Sequence, residues 1–300
     1  MNRKNVKFKD VRVFINRRSG NGWSFDNVQA AFSRYWKGKA DSIAYSFPDG
    51  RENAVELVHT ALRQGADCII AAGGDGTVSS IGIELMGTDT CLGVIPLGSG
   101  NGLARHFSQS MDPVESVKQL ASGRICSMDV GFVNDMPFLV SSSMAWDAAI
   151  VKTYNKSPVR GVLSYVLAGV VEFFDYKPQP MTMTIDDGEV IKMDKPMLLT
   201  IGNLSGWGGG AMIDRAAQED DGLLELAAAR QADIPLLLAN IAMAFDGGLG
   251  SMPRVVFRKF KKMRIVRSRP HPIQLDGELV DAGTEIGISV KPNAVKVLVP

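Results

Sequence analysis

The stretch Cys68–Ser80 reads Cys-Ile-Ile-Ala-Ala-Gly-Gly-Asp-Gly-Thr-Val-Ser-Ser: a short apolar run, three glycines around one aspartate, then a hydroxyl-rich run. Such a run predicts a buried strand that turns sharply and continues as a helix. Gly73, Gly74 and Gly76 free the backbone to bring its N–H groups close to a ligand, and a helix starting there adds unpaired N–H groups and the positive end of its dipole. The pattern therefore predicts a phosphate-handling loop with Asp75 at its tip and Thr77 as the helix N-cap. A plain glycine-rich turn would look the same in isolation, so the rest of the chain has to decide.

Two further turns repeat the theme. Val11–Asn16 has strand composition and leads into Arg17-Arg18-Ser19-Gly20-Asn21-Gly22, and the apolar run Cys91–Pro96 leads into Leu97-Gly98-Ser99-Gly100-Asn101-Gly102. Helical spacing over 26–36, 51–64, 78–86 and 113–122 separates these strands. Strands alternating with helices predict a doubly wound parallel sheet, in which ligands bind at the carboxyl ends of the strands, where all three glycine turns fall. Near residue 130 the texture changes to short β-type runs (128–133, 137–143, 181–185, 190–193, 197–202, 223–229 and 263–299), broken by helical stretches at about 148–175 and 233–244. That pattern predicts an antiparallel sandwich. The expected organisation is an α/β domain over 1–130 and a β-sandwich over 131–300, its final segment returning to the first domain, without repeats or a low-complexity linker.

A content of 45% hydrophobic and 22% charged residues is ordinary for a globular chain, and 33 Lys+Arg against 32 Asp+Glu gives no reason to expect a nucleic-acid partner. Basic residues do crowd one stretch, Arg254, Arg258, Lys259, Lys261, Lys262, Arg264, Arg267 and Arg269. It reads either as a solvated face or as a surface for transient contact with anionic membrane lipid. Cys68, Cys91 and Cys126 read as core thiols of a reducing compartment. The first ten residues carry charge without a following apolar run, and Val162–Phe174 is too short for a bilayer that needs roughly 20 residues. The expectation is a cytoplasmic protein, peripheral to the membrane. His59, His106 and His271 lack ligand-like spacing, so no zinc site is expected.

Taken in order, Asn16…Ser19-Gly20, Gly73-Gly74-Asp75-Gly76-Thr77, Gly98-Ser99-Gly100-Asn101…Arg105, Asp220-Asp221-Gly222 and Leu275-Asp276-Gly277-Glu278 resemble the bacterial members of the diacylglycerol kinase/sphingosine kinase family of lipid kinases. The resemblance implies a nucleotide-binding α/β domain like those of NAD kinases and diacylglycerol kinases, a C-terminal β-sandwich, ATP in the cleft between them, and Mg²⁺-dependent transfer of the γ-phosphate to a lipid hydroxyl. Phosphoryl transfer needs positioning and charge neutralisation more than covalent help. The three loops supply backbone donors, Ser99 and Thr77 hydroxyls, and Arg105 a cation if it is not merely on the surface. Asp75 suits Mg²⁺, a hard cation that takes oxygen ligands, and the resemblance adds Asp220 and Asp221 as an accessory metal pair. Asp276, with Glu278 beside it, and Asp75 are the candidate proton acceptors, although Asp-Gly is also a common hairpin turn. Asp147 is implied near the lipid head group, or caps a helix. The stripe Leu163, Val166, Leu167, Val170, Val171 and Phe174 is implied as an acyl-chain wall, or is core. The acceptor, diacylglycerol or a sphingoid-type lipid, stays open, as does a homodimer. Alternative readings are an NAD kinase-like small-molecule kinase and a non-catalytic nucleotide-binding regulator.

Overall fold

The computed structural model describes residues 6–20, 22–150, 175–186, 188–208 and 210–300. Asn21, part of the expected first loop, and the stripe Leu163–Phe174 lie outside the described residues. The chain divides into two compact units, Met1–Met128 with Asn293–Pro300, and Asp129–Pro292.

The first unit is built on a parallel sheet. Strand Phe8–Ile15 pairs in parallel with Ala40–Ser46 on one side and Cys68–Gly73 on the other; Cys91–Pro96 follows, and then the last residues of the long strand Glu285–Val299, through Lys296↔Cys91 and Val297↔Leu92. Cys68–Gly73 and Cys91–Pro96 are buried throughout, as continuous apolar runs must be when helices cover both faces. Helix Phe25–Tyr35 packs with Pro113–Ala121, and Arg51–Arg63 with Asp75–Glu84. On one face Val11, Val13, Ile70 and Ile95 meet Val28, Phe32 and Trp36, and the Trp36 indole N–H donates to Val117 O at 3.0 Å. The chain leaves Phe8–Ile15 toward one edge of the sheet and Cys68–Gly73 toward the other. This reversal opens a crevice at the carboxyl ends of these two neighbouring strands.

The second unit is an antiparallel sandwich. In one sheet Lys262–Arg267 lies between the first half of Glu285–Val299 and Met181–Ile185, with Glu189–Met193 at the edge. The other is six-stranded, in the order Val256–Phe260, Leu224–Arg230, Pro196–Gly202, Ser141–Ser143, Ile273–Leu275, Glu278–Val280. Alternation along Lys262–Arg267 sends Met263 and Ile265 inward, where they join Met183, Ile286 and Ile288 against Leu199, Ile201, Leu226 and Phe260 of the facing sheet. The outer face of the six-stranded sheet is covered separately: Leu198, Ala227 and Ala229 pack under Ile234, Leu237 and Ala244 of the short helices Ile234–Ala239 and Met243–Asp246. Among the described residues no helix is long and apolar enough to cross a membrane.

Candidate functional site

The three glycine turns of the first unit are locked together at the carboxyl edge of its sheet. Asn16, just past the first strand, donates its side-chain amide to Thr77 Oγ1 at 3.0 Å and accepts the Arg18 N–H at Oδ1 at 3.0 Å. Thr77 is thus a cross-link between loops. The N-cap is Gly74, because the helix starts at Asp75, three residues earlier than the hydroxyl suggested. Gly20 has φ +66°, and a Cβ there would collide with Leu97 O, so only glycine lets the first loop touch the third. A Cβ on Gly98 would lie 2.6 Å from the Gly74 Cα, and one on Gly100 would run into Asp75 Oδ2.

Asp75 fixes the third loop to the second. Its Oδ2 accepts the Asn101 N–H at 2.9 Å and its Oδ1 the Gly102 N–H at 2.6 Å, so it caps the short helix Gly102–His106 from another element. Asn101, left-handed at φ 56°, accepts Gly98 N–H at Oδ1 (3.0 Å) and donates back to Gly98 O (2.7 Å), closing the loop on itself. Arg105 donates its Nε–H to Gly100 O at 2.7 Å and is otherwise exposed. Ser19 turns on its backbone, its N–H donating to Asn16 O at 3.1 Å, while Ser99 stands exposed on the crest of the third loop. Gly73, Gly74, Asp75, Gly76, Thr77, Gly98, Ser99, Gly100, Asn101, Arg105, Asn16, Ser19 and Gly20 all belong to this one edge. Its single carboxylate, half-buried with one N–H on each oxygen, keeps lone pairs for a hard cation that phosphate and water would complete, so the donor set fits Mg²⁺.

The remaining candidates lie in the second unit. Asp276 at φ 47° and Gly277 at φ 89° form the two-residue turn between Ile273–Leu275 and Glu278–Val280, paired Leu275↔Glu278. This is the backbone of a type I′ hairpin. The Asp276 carboxylate turns inward and accepts Leu139 N–H at 2.7 Å, Val140 N–H at 2.8 Å and Ser141 N–H at 3.0 Å. It breaks the expected 137–143 strand into Met136–Phe138 and Ser141–Ser143. Because Asp276 is a turn residue, the two-residue strand period does not put Glu278 beside it; Glu278 is exposed at the start of the next strand.

Asp147 lies within a helical turn, 1% exposed. Its carboxylate accepts N–H groups of Ala145 (2.9 Å), Ala148 (3.1 Å) and Leu199 (3.3 Å) and the hydroxyl of Thr200, which in turn accepts the Trp207 indole N–H at 3.1 Å. Burial pushes the Asp147 pKa up to about 6 against the pull of these donors.

Asp220 is exposed, whereas Asp221 lies 3.6 Å from the Lys259 ammonium, which also contacts Asp214 at 3.7 Å and Glu225 at 3.2 Å. The positive charge that a metal would bring to these carboxylates is already supplied by Lys259, and the set does not fit an added dication. Among the described residues no group of three or more His, Cys, Asp or Glu is arranged to hold a metal.

Glu225 is 1% exposed, and burial raises its pKa from 4.5 to about 7 although Lys259 opposes the shift. Between those values the folded chain binds a proton that the unfolded chain releases, so stability is full below pH 4.5 and declines as pH rises toward 7. Melting temperature is expected to fall across that window and to fall less in Glu225→Gln, as calorimetry against pH would show; equal slopes for the two proteins would refute the assignment.

Asp129 and Asn203 were not singled out by the sequence, and Lys259 stood there only as one of the basic run. Asp129 accepts the Gly222 N–H at 2.7 Å and donates its own N–H to Glu219 O, holding the acidic turn, and the Asn203 amide bridges Asp129 O and Leu139 O. A charge inside the apolar run Met128-Asp129-Val130 was the available signal.

A doubly wound unit with three interlocked glycine loops, joined in sequence to an antiparallel sandwich, defines the class of the NAD kinase-like and diacylglycerol kinase-like folds. Residues 10–133 match the diacylglycerol kinase catalytic domain, and residues 140–299 match the YegS C-terminal NAD kinase beta sandwich-like domain. The chain belongs to this diacylglycerol kinase/YegS family of lipid kinases. It is 27% identical over 297 residues to a diacylglycerol kinase of Mycobacterium tuberculosis, covering 97% of this chain and 95% of that protein. It is 32% identical over 182 residues to a probable lipid kinase YegS-like protein of Chromohalobacter salexigens, covering 58% of this chain and 57% of that one. The crystal structure of a diacylglycerol kinase from Bacillus anthracis str. Sterne shares the fold, with a TM-score of 0.78, 18% identity and 98% of both chains covered.

Proposed function

We propose that this protein transfers the γ-phosphate of ATP, with Mg²⁺, to a hydroxyl of a diacylglycerol or sphingoid-type lipid. The observation that carries this reading is the Asp75–Asn101 lock, which fixes the third glycine loop to the second through one carboxylate, while Asn16 ties the first loop to the second through Thr77. In this reading the N–H groups of the three loops that Asp75 does not take, with Ser99 and Arg105, hold the polyphosphate, and Asp75 holds the metal. When bound, Mg²⁺ neutralises phosphate charge. The lipid oxygen forms a bond to the γ-phosphorus as the bond to the β-bridging oxygen breaks, and the hydroxyl proton passes to a carboxylate. Asp276 is assigned that acceptor role and Asp75 is the alternative; Glu278 is left as an exposed neighbour. Asp147, saturated by donors, is read as an anchor of the sandwich that shapes the acceptor side without touching the head group. Asp220 and Asp221 carry no metal in this reading.

The test is transfer from radiolabelled ATP to a panel of diacylglycerols, sphingoid bases, ceramides, phosphatidylglycerol and NAD, resolved by thin-layer chromatography. Label on one of the lipids is expected. Label on NAD alone would replace the reading with the small-molecule kinase, and ATP binding without transfer to any acceptor would replace it with the nucleotide-binding regulator.

A further inference from the structure

We propose that the helices Ile234–Ala239 and Met243–Asp246 form the membrane-docking element of this protein, inserting their outward apolar side chains into an anionic leaflet while a basic cleft beside them takes lipid phosphates. The inference rests on the lipid-kinase reading, since an acyl-chain acceptor lies in a bilayer.

These helices are apolar on both sides. Ile234, Leu237 and Ala244 pack onto the sheet, yet Leu236, Leu238, Ile241 and Phe245 point away from it, Leu238 58% and Phe245 51% exposed. From Ile234 to Phe245 the chain carries no charged residue. A helix exposed to water on one side ordinarily carries polar residues there, and a cluster of large exposed apolar side chains marks a surface meant to be covered.

The cover is identified by charge. Immediately before the first helix, Gln231 and Ala232 line a cleft of about 600 Å³ together with Lys192, Asp194, Lys195 and Arg230. Its three cations are exposed and form no ion pair among the described residues, and Asp194 is the one acid in the lining. Apolar side chains beside unpaired cations match an interface of acyl chains and phosphates. A second copy of this chain suits the patch less well, because a two-fold contact would set the same cations against each other.

Within the basic stretch 254–269, half of the cations are already committed. Arg258 pairs with Glu189 at 2.8 Å, Arg264 with Glu285 at 2.8 Å, Lys259 contacts three carboxylates, and Arg267 is buried with its guanidinium on the carbonyls of Gly283, Ala282 and His271. Paired charges have little attraction left for lipid, whereas the cleft cations adjoin the segment that carries the exposed apolar side chains.

The experiment is co-sedimentation with vesicles of phosphatidylcholine, with and without phosphatidylglycerol, at low and high salt. It uses the wild type, Leu238→Glu, Phe245→Glu, their double variant, and Lys192→Glu/Lys195→Glu. Surface positions leave the fold intact, which melting curves check, and each single variant is read alone if the double variant does not fold. The apolar double variant is expected to lose vesicle binding by about tenfold or more on both compositions. The charge variant should lose only the salt-sensitive part that phosphatidylglycerol adds. Wild-type binding by the apolar variants would overturn the proposal, as would a dimer in sedimentation velocity that those variants dissociate. Vesicle binding as expected with no lipid phosphorylated would sink the kinase reading and leave the docking surface standing. Phosphorylation of a dispersed short-chain diacylglycerol together with unchanged vesicle binding in the variants would do the reverse.

Discussion

Asp75→Ala is expected to lower phosphoryl transfer by roughly 10²–10³-fold or more, the scale on which a group that stabilises transition-state charge contributes. Two effects coincide in that variant. The carboxylate that would hold the metal is gone, and the N–H groups of Asn101 and Gly102 lose their acceptor, which loosens the third loop and costs about 1 kcal/mol of stability. Asp75→Asn separates the two. It keeps a carbonyl oxygen for one of the N–H groups and removes the charge. If Asp75 is the metal ligand, kcat stays low in Asp75→Asn while the melting temperature recovers part of its loss. Turnover above about a tenth of wild type in Asp75→Asn would mean that less than about 1.4 kcal/mol of transition-state stabilisation had gone, too little for a metal ligand.

Asp276→Asn is expected to show a loss in both activity and stability. A general base contributes about 10²–10⁴-fold, so kcat should fall on that scale if Asp276 accepts the lipid proton. Replacing one oxygen by NH₂ also sets a donor against the N–H of Leu139, Val140 or Ser141, and an unsatisfied buried donor costs about 1–3 kcal/mol. The isosteric substitution therefore does not leave the melting temperature untouched, as reading Asp276 simply as a turn residue would suggest. Gly277→Ala supplies the control. Gly277 has φ +89°, and a Cβ added there would meet nothing within 4 Å, so the methyl strains the turn without a clash and leaves the carboxylate in place. A catalytic Asp276 requires that, at a temperature where both variants are folded, Gly277→Ala keep most of its kcat while Asp276→Asn does not. Equal losses in the two would reduce Asp276 to a structural clamp and pass the base role to Asp75.

The legible part of the site was the part in which one residue type has one use. Gly20, Gly98 and Gly100 stand where a Cβ would strike Leu97, Gly74 or Asp75, and glycine was the only residue that could be there. Asn101 takes the left-handed conformation that asparagine tolerates. Residues with several uses were misjudged in proportion to that freedom. Thr77 had the chemistry of an N-cap but cross-links Asn16, because the helix began at Asp75, and Lys259 looked like one more member of a basic run until three carboxylates were found around it.

The sequence by itself determined the alternation of strand and helix up to about residue 125, the switch to antiparallel texture beyond it, and the order of the motifs. Those follow from local periodicity and turn chemistry, which need no partner to be read. Only the tertiary structure decided which donors each carboxylate meets. Asp276 closes on the amides of residues more than a hundred positions earlier, Asp147 on a strand 52 residues later, and Asp75 on the loop after the next strand. It also decided which face of 234–245 stays bare, since a segment apolar on every side carries no period from which its covered side could be told. A hydrogen bond between distant residues leaves no mark on local composition, because what selects it is the geometry of the folded chain.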